Sequence, residues 1–160
     1  MSHLEDLLCE YYEWQGYIVR RNIKVGRLAH GGWEGELDIV AYHPQTGELL
    51  HLEPSLDALS WATREPRFQR KFRVGAKYMK DVLPWIERRK RPRQIAVLVS
   101  RGNGRKQLGT GEVRTVDEFV TEIRDAVRQG GKMSGGAVPE QYPLLRTIQL
   151  VDSGYYKTPT

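Results

Sequence analysis

Residues 35–55, GELDIVAYHPQTGELLHLEPS, decide how the chain folds, and they predict two short β-strands joined by a turn. Successive side chains of a strand alternate between its two faces, so Glu36 and Asp38 on the first strand are expected to point the same way. Antiparallel pairing of the two strands would then bring Glu53 beside them. Three carboxylates so close together repel one another unless a divalent cation, a basic side chain or a shared proton neutralises them. The stretch therefore predicts a metal site.

The segments on either side of this hairpin predict an α/β domain. Apolar residues recur at helical spacing over residues 2–16, from about Glu65–Pro66 to residue 83, and over residues 115–129, so a helix is expected in each. Strands are expected over residues 17–25 and 94–100. The second of these, QIAVLVS, is a continuous apolar run typical of a strand buried on both faces at the centre of a sheet. The glycine-rich basic segment 101–112 is expected to be a loop.

The length of the chain, 160 residues, is that of one domain. Residues 1–130 are predicted to form its body, and residues 131–160 to add a flexible glycine-rich segment and an edge strand over 146–151. The single Cys9 excludes an internal disulfide, and no apolar run reaches the roughly 20 residues that span a bilayer. These features predict a soluble, cytoplasmic protein without a membrane partner.

Charge is distributed unevenly along the chain. Residues 1–60 contain 4 basic and 10 acidic side chains, whereas residues 61–110 contain 15 basic and 3 acidic ones. An acidic beginning followed by a basic middle suits a protein that holds a cation with one part and a polyanion with another. The alternative left open by the charge count is that these lysines and arginines only solvate exposed helix faces.

The predicted second helix carries the highest density of basic side chains and is the best candidate for contact with phosphates. Trp33, in the glycine-rich loop before the hairpin, is a further candidate because an aromatic ring can stack on a nucleic-acid base. A tryptophan that folds back onto the core is the alternative for that residue. The predicted nucleic-acid contacts are Trp33, Arg64, Arg67, Gln69, Arg70, Lys71, Arg73 and Lys77.

From about residue 3 to residue 100 the chain resembles the PD-(D/E)XK nuclease superfamily, and within it the archaeal Holliday-junction resolvases and their small bacterial relatives. GELDIVAY, residues 35–42, looks like the strand of that superfamily that carries the aspartate, and HLEPS, residues 51–55, stands where its Glu-x-Lys strand belongs. RFQRKFRVGAKYM, residues 67–79, is similar to the basic helix that follows. The resemblance implies a restriction-endonuclease-like fold, with a central mixed β-sheet flanked by helices.

The same resemblance implies an active site that binds Mg²⁺ or Mn²⁺. Asp38 and Glu53 would be metal ligands, the carbonyl of Pro54 a third, and Glu36 a supporting carboxylate. Glu10 would be the acidic residue that some members add from their first helix. Carboxylates suit such a hard cation, which can activate water and polarise a phosphodiester. The resemblance also implies a two-fold symmetric homodimer, because symmetric cutting of two strands needs two sites.

The sequence departs from the superfamily pattern at Ser55, where the motif lysine is expected. That lysine normally shares a strand face with the glutamate and stabilises charge on the reacting phosphate. Proline at position 54 is also unusual, because it cannot donate to a sheet ladder and is confined to strand ends, edges or bulges. A lysine from the following helix can replace the missing ammonium, with Lys71 as the first candidate and Lys77 as the second. The alternative is that both lysines only meet phosphates or solvent.

Three functions are therefore consistent with the sequence. The first is a metal-dependent endonuclease acting on branched or otherwise structured DNA, with Asp38, Glu53, Lys71 and Glu10 as catalytic residues. The second is a catalytically impaired protein of the same fold that binds nucleic acid without cutting it, which the serine at position 55 favours. The third is an interaction subunit whose basic face meets an acidic protein partner.

Overall fold

Within the part of the chain that the structure describes, six β-strands form one mixed sheet with helices packed on both of its faces, so the α/β class predicted from the sequence is confirmed. The computed structural model describes residues 2–87 and 90–155. The strands are β1 (Ile18–Arg27), β2 (Trp33–Tyr42), β3 (Leu49–Ser55), β4 (Arg93–Leu98), β5 (Gln107–Leu108) and β6 (Gly111–Thr115). The helices are α1 (His3–Trp14), α2 (Trp61–Val82), α3 (Val116–Gln129), α4 (Met133–Gly136) and α5 (Pro143–Asp152).

The strands lie in the order β1-β2-β3-β4-β6-β5. β1, β2 and β3 form an antiparallel meander, which includes the predicted hairpin, and β3 pairs in parallel with β4 through the crossover helix α2. β4 also pairs in parallel with β6, so it is central, as its continuous apolar sequence predicts. The predicted loop at residues 101–112 is partly wrong, because β5 and the start of β6 pair there as a short hairpin.

The apolar core is divided between the two faces of the sheet. On one face, α1, α3 and α5 cover a cluster that includes Ile39, Leu52 and Val97. On the other face, α2 covers two clusters that include Leu37, Val40 and residues of β4 and β6. Leu50 and Leu52 of β3 pack in the cluster under α1, α3 and α5. Because side chains of a strand alternate between its faces, the intervening side chains of β3 point toward α2. This alternation places the polar residues of β3 under the basic helix.

α2 begins earlier than the sequence predicts. Its first residue is Trp61, and the side chain of Ser60 accepts a hydrogen bond from the backbone N–H of Thr63 as the N-cap. Pro66, expected to mark the first turn, lies instead within the helix. The predicted start was wrong because Ser60 caps the helix ahead of Pro66, and the helix accommodates this proline, which lacks an N–H, in its second turn.

The predicted edge strand over residues 146–151 is also wrong, since these residues lie in α5. Pro143 opens this helix at a position where its missing N–H costs nothing, and Leu145 and Gln149 are buried against the rest of the domain. The side-chain oxygen of Gln149 accepts a hydrogen bond from Val138, and its amide nitrogen donates to the carbonyls of Gly131 and Gly136. These bonds tie the glycine-rich segment to the domain.

Candidate active site

Asp38, Glu53 and Lys71 meet at the end of the β2–β3 hairpin. Ile39 and Leu52 form the β2–β3 pair farthest from the turn. Asp38 and Glu53 are the next residues beyond this pair, one on each strand. The Lys71 Nζ donates to Asp38 Oδ2 at 2.8 Å and also contacts Glu53 Oε2. The backbone N–H of Asp38 lies 3.4 Å from Glu53 Oε1. Two strands and the facing helix therefore bring two carboxylates to one ammonium.

The three side chains differ in their access to solvent. Glu53 has no exposed side-chain surface, whereas 17% of Asp38 and 25% of Lys71 is exposed. Lys71 reaches the sheet because α2 crosses above β3, with Phe68 and Phe72 of the same helix buried between helix and strands. A ligand could therefore approach Asp38 and Lys71 from solvent, with Glu53 forming the floor of the site.

The two carboxyl groups have opposite pKa shifts. For Asp38, burial and the neighbouring Glu53 carboxylate outweigh the effect of Lys71 and raise the pKa to about 7. Burial also acts to raise the pKa of Glu53, but hydrogen bonds from His51 and Asp38 and the charge of Lys71 outweigh it and lower the pKa to about 2. For Lys71, burial acts to lower the pKa, but both carboxylates outweigh it and raise it. Glu53 is therefore the permanent anion of the group.

These shifts predict how stability depends on pH. Between pH 5 and pH 7 Glu53 is ionised in the native and unfolded states, whereas native Asp38 holds a proton that the unfolded chain, with a carboxyl pKa of 3.8, has lost. The native state then binds more protons, so its stability falls as pH rises. We expect the free energy of unfolding to fall from pH 5 to pH 8 on the order of 2 kcal/mol more in the wild type than in Asp38→Asn. Urea titrations of both proteins across this range measure the difference, and parallel curves would contradict it.

Glu36 does not join this cluster, contrary to the sequence prediction. Leu37 packs in the cluster under α2, whereas Ile39, two residues later, packs on the opposite face. The alternation of β2 is therefore interrupted at Asp38, and residues 36 and 38 cease to share a face. Glu36 is exposed, and its register partner is Lys24 of β1. Among the residues that the structure describes, no group of three or more His, Cys, Asp or Glu side chains is placed to hold a metal ion.

Glu10 also lies outside the cluster, so its predicted place in the active site is wrong. Its Oε2 accepts hydrogen bonds from the backbone N–H groups of Leu144, at 2.9 Å, and Leu145, at 3.1 Å. These are free donors in the first turn of α5, and a carboxylate there is favoured by the helix dipole. Glu10 therefore joins α1 to α5 on the face of the sheet opposite α2.

Removing the Glu10 carboxylate is expected to lower the stability of the fold. We expect Glu10→Ala to lower the free energy of unfolding by about 1 kcal/mol, as for loss of a helix cap. Glu10→Gln, which keeps an acceptor oxygen, should recover part of that loss. Chemical unfolding of both variants measures these effects. Equal stability of Glu10→Ala and the wild type would contradict the capping role of Glu10.

Pro54 and Ser55 complete β3 without disrupting it. Pro54 pairs with Val97 of β4, and it lies beyond the last β2–β3 pair, where no ladder requires an N–H toward β2. Ser55 donates from its hydroxyl to Asp57 Oδ2 at 2.6 Å. Asp57 also accepts hydrogen bonds from Arg64 and Arg67 of α2. The serine at the position of the motif lysine thus helps to anchor the start of α2.

The predicted nucleic-acid contacts fall into four groups, one of which is Lys71 alone. Arg64 is only 6% exposed and bonds both the backbone and side chain of Asp57, so its assignment to the DNA surface is wrong. Three exposed cations have protein partners: Arg67 bonds Asp57, Arg70 donates to the carbonyl of Glu34, and Lys77 bonds the Glu34 carboxylate at 2.7 Å. The pairing of Lys77 with Glu34 leaves Lys71 as the lysine of α2 that contacts both acidic residues.

The remaining predicted contacts are exposed. Gln69 and Arg73 line a groove of about 950 Å³ between α2 and the chain around Lys90, Arg91 and Thr110. Trp33 opens β2 rather than lying in a loop, and 46% of its surface is exposed. The tryptophan therefore does not fold back into the core.

His51 is the residue of this site that sequence reasoning missed. It is fully buried, and its Nε2 lies 2.7 Å from Glu53 Oε1. The signal was the spacing within HLE, because residues two apart on a strand share a face. The second carboxylate oxygen of Glu53 is the one in contact with Lys71.

Comparison with protein-family models, curated proteins and solved structures gives no match. Within the described residues, no helix combines the length and the apolar character needed to cross a membrane.

Proposed function

We propose that this protein is a divalent-metal-dependent nuclease of the PD-(D/E)XK type that acts on structured or branched DNA, and that its lysine comes from α2 instead of β3. The observation that carries the proposal is the contact of Lys71 Nζ with both Asp38 Oδ2 and Glu53 Oε2. It joins the Asp, Glu and Lys side chains that the resemblance calls for, although position 55 is serine. Asp38 and Lys71 remain partly exposed, so a phosphate can reach them from solvent. This exposure supports chemistry at a phosphate more than it supports a purely structural ion pair.

The side chains present fit a magnesium ion. Asp38 and Glu53 offer hard carboxylate oxygens that converge on one point, and Mg²⁺ is commonly held by one or two carboxylates, with water and phosphate oxygens completing its shell. An ion bound there would activate water and polarise the phosphodiester. The Lys71 ammonium, on its flexible stem, would stabilise negative charge that develops on the reacting phosphate. Asp38 must be ionised to act as a ligand, so metal binding competes with its proton.

The groove beside α2 supports nucleic acid as the substrate. Among the described residues that line it there are four basic side chains and no carboxylate. Gln69, Gln94 and Thr110 add amide and hydroxyl groups that can bond phosphate oxygens. The four basic residues are Arg73, Lys77, Lys90 and Arg91. The charge of this groove suits a DNA strand more than an acidic protein, because the cations that line it can meet the phosphates of the strand.

Neutralising this groove is expected to weaken DNA binding. The triple variant Arg73→Gln, Lys90→Gln and Arg91→Gln should bind a branched DNA more weakly, and the slope of log affinity against log salt should fall by about 0.9 for each lost phosphate contact. Fluorescence anisotropy in a salt series measures both quantities. A matched triple variant on the opposite face, Arg128→Gln, Lys132→Gln and Arg146→Gln, should bind as the wild type does. Equal losses in the two triples would contradict a specific groove.

The nuclease proposal is tested by incubating the protein with a four-way junction, a flap and a linear duplex in Mg²⁺ or Mn²⁺. We expect cleavage of a structured substrate that chelation abolishes and that Asp38→Asn and Glu53→Gln eliminate. Cleavage that survives chelation or both substitutions would contradict the proposal, as would failure to cut any of the substrates. Sedimentation of the protein on the junction would show whether two copies bind, as the predicted homodimer requires.

One observation favours a second function, DNA binding without cleavage. The contact of Lys71 with both carboxylates neutralises part of their charge, and this weakens their attraction for a divalent ion. In that case the groove would retain its affinity for DNA while no substrate is cut. The cleavage and anisotropy experiments together separate the two functions.

A further inference from the structure

The His51 ring is enclosed between the sheet and α2. It has no exposed surface, and it packs edge-on against Phe72 with the ring centroids 5.5 Å apart. On its other side lies Gly75 of α2, where an added Cβ would overlap the ring carbon Cε1 and Nδ1. Packing against Phe72 and Gly75 restrains the position of the ring. Its contact with Glu53 is therefore a fixed part of the site.

The hydrogen-bond partners of His51 assign its proton. Nε2 lies 2.7 Å from Glu53 Oε1, and a carboxylate can only accept, so Nε2 carries the hydrogen. Nδ1 has no hydrogen-bond partner among the described residues. The geometry therefore places a ring hydrogen on Nε2, where it is donated to Glu53 Oε1.

We infer that His51 is a positioning residue for Glu53. It holds one carboxylate oxygen in place and so orients the other toward the site. Oε1 is held by His51 and by the backbone N–H of Asp38, and this leaves Oε2, in contact with Lys71, as the oxygen directed into the site. Glu53 would then bind a metal ion through Oε2 alone. This ligand role rests on the proposed function, whereas the orientation of the carboxylate does not. A hydrogen-bonded partner behind a metal ligand commonly changes metal affinity 10–100-fold.

Gly75 belongs to the same arrangement. Glycine within a helix costs about 1 kcal/mol relative to alanine, so its place in the middle of α2 needs a reason. The overlap that a Cβ would make with His51 supplies that reason. Alanine at position 75 is therefore expected to displace the imidazole and to disturb Glu53 indirectly.

Two substitutions separate positioning from packing. His51→Gln can place an amide N–H near the position of Nε2, whereas His51→Leu fills a similar space without a donor. We expect the leucine variant to bind Mn²⁺ at least about tenfold more weakly than the wild type by calorimetry, and the glutamine variant to recover most of the loss. Thermal unfolding of both variants shows whether they fold equally well. Equal weakening of Mn²⁺ binding in both variants would reduce His51 to a packing residue and overturn the inference.

The positioning claim also has a test that needs neither metal nor a variant. Nitrogen NMR of the metal-free wild-type protein reports which ring nitrogen of His51 carries the hydrogen. We expect the Nε2–H form, and the Nδ1–H form would overturn the inference, because that ring could not donate to Glu53. Wild-type protein that binds no Mn²⁺ would overturn the ligand role of Oε2 together with the nuclease proposal. The tautomer would still decide the orientation of Glu53.

Discussion

Replacement of Lys71 with methionine is expected to reduce the rate of DNA cleavage about 10²- to 10³-fold, as for loss of one donor that stabilises charge in a transition state. Methionine keeps most of the length and apolar stem of lysine and removes only the ammonium. The carboxylates of Asp38 and Glu53 then lose the cation that contacts both of them. Affinity for Mn²⁺ should therefore stay the same or rise, because no ammonium competes for the two oxygens.

The matched control for this substitution is Lys77→Met. Lys77 lies on the same helix and pairs with Glu34, and its side chain is 56% exposed. Because Lys77 also lines the basic groove, its replacement is expected to weaken DNA binding, but at saturating DNA it should leave the single-turnover cleavage rate unchanged. Single-turnover assays at saturating DNA separate loss of chemistry from loss of binding. If the two lysine variants lost activity equally, or if Lys71→Met cut DNA at the wild-type rate, the assignment of Lys71 as the motif lysine would be wrong.

Replacement of Glu53 with alanine is expected to abolish Mn²⁺ binding and to destabilise the fold by about 3 kcal/mol, as for breaking a buried charged network on one side. The carboxylate has no exposed surface, and it accepts from His51, from Lys71 and from the backbone of Asp38. Alanine would leave a buried imidazole N–H and a partly buried ammonium without this partner. Urea unfolding monitored by circular dichroism measures the loss of stability.

Glu48→Ala is the control for this substitution, because Glu48 also lies near the β2–β3 hairpin but its side chain is 38% exposed. We expect it to lower the free energy of unfolding by about 1 kcal/mol, less than Glu53→Ala, because it loses an exposed pair with Arg93 and a hydrogen bond from the Tyr17 hydroxyl. It should leave Mn²⁺ binding intact. Comparable stability for Glu53→Ala and wild type would mean that Glu53 is not held as the structure has it.

The part of the site within the hairpin could be predicted from the sequence, and the part that depends on packing could not. Asp38 and Glu53 lie on the two strands of one hairpin, so local pairing brings them together.

The prediction that Glu36 joins the site was wrong for a reason that lies on the neighbouring strand. Asn22 of β1, at the position facing Asp38 between two register pairs, has a φ of 52°. This left-handed residue coincides with the break in alternation, and no two-residue pattern reveals it.

Lys71 shows why a residue from another element is harder to place. The density of basic side chains identifies α2 from its sequence, but several lysines and arginines fit that description equally well. Which of them reaches the carboxylates depends on how the helix is rotated against the sheet. That rotation is set by the burial of Phe68 and Phe72, and by the close approach of Gly75 to His51. These contacts are made between distant parts of the chain.

The C-terminal helix illustrates an ambiguity of short apolar segments. Residues 146–151, RTIQLV, are too few to distinguish a strand from a helix by periodicity. The outcome depends on partners elsewhere, since Glu10 of α1 caps the helix and Gln149 bonds the glycine-rich segment. The same partnership removes Glu10 from the active site. One long-range contact therefore accounts for two errors in the sequence prediction.

The most direct measurement of the central claim is anomalous diffraction from a crystal of the protein grown with Mn²⁺. The account predicts one strong peak in contact with an oxygen of Asp38 and with Oε2 of Glu53, with the Lys71 ammonium moved away from at least one of the two carboxylates. His51 should still bond Oε1. A crystal at saturating Mn²⁺ with no peak at this site, and with Lys71 still in contact with both carboxylates, would contradict the claim that these residues form a metal centre.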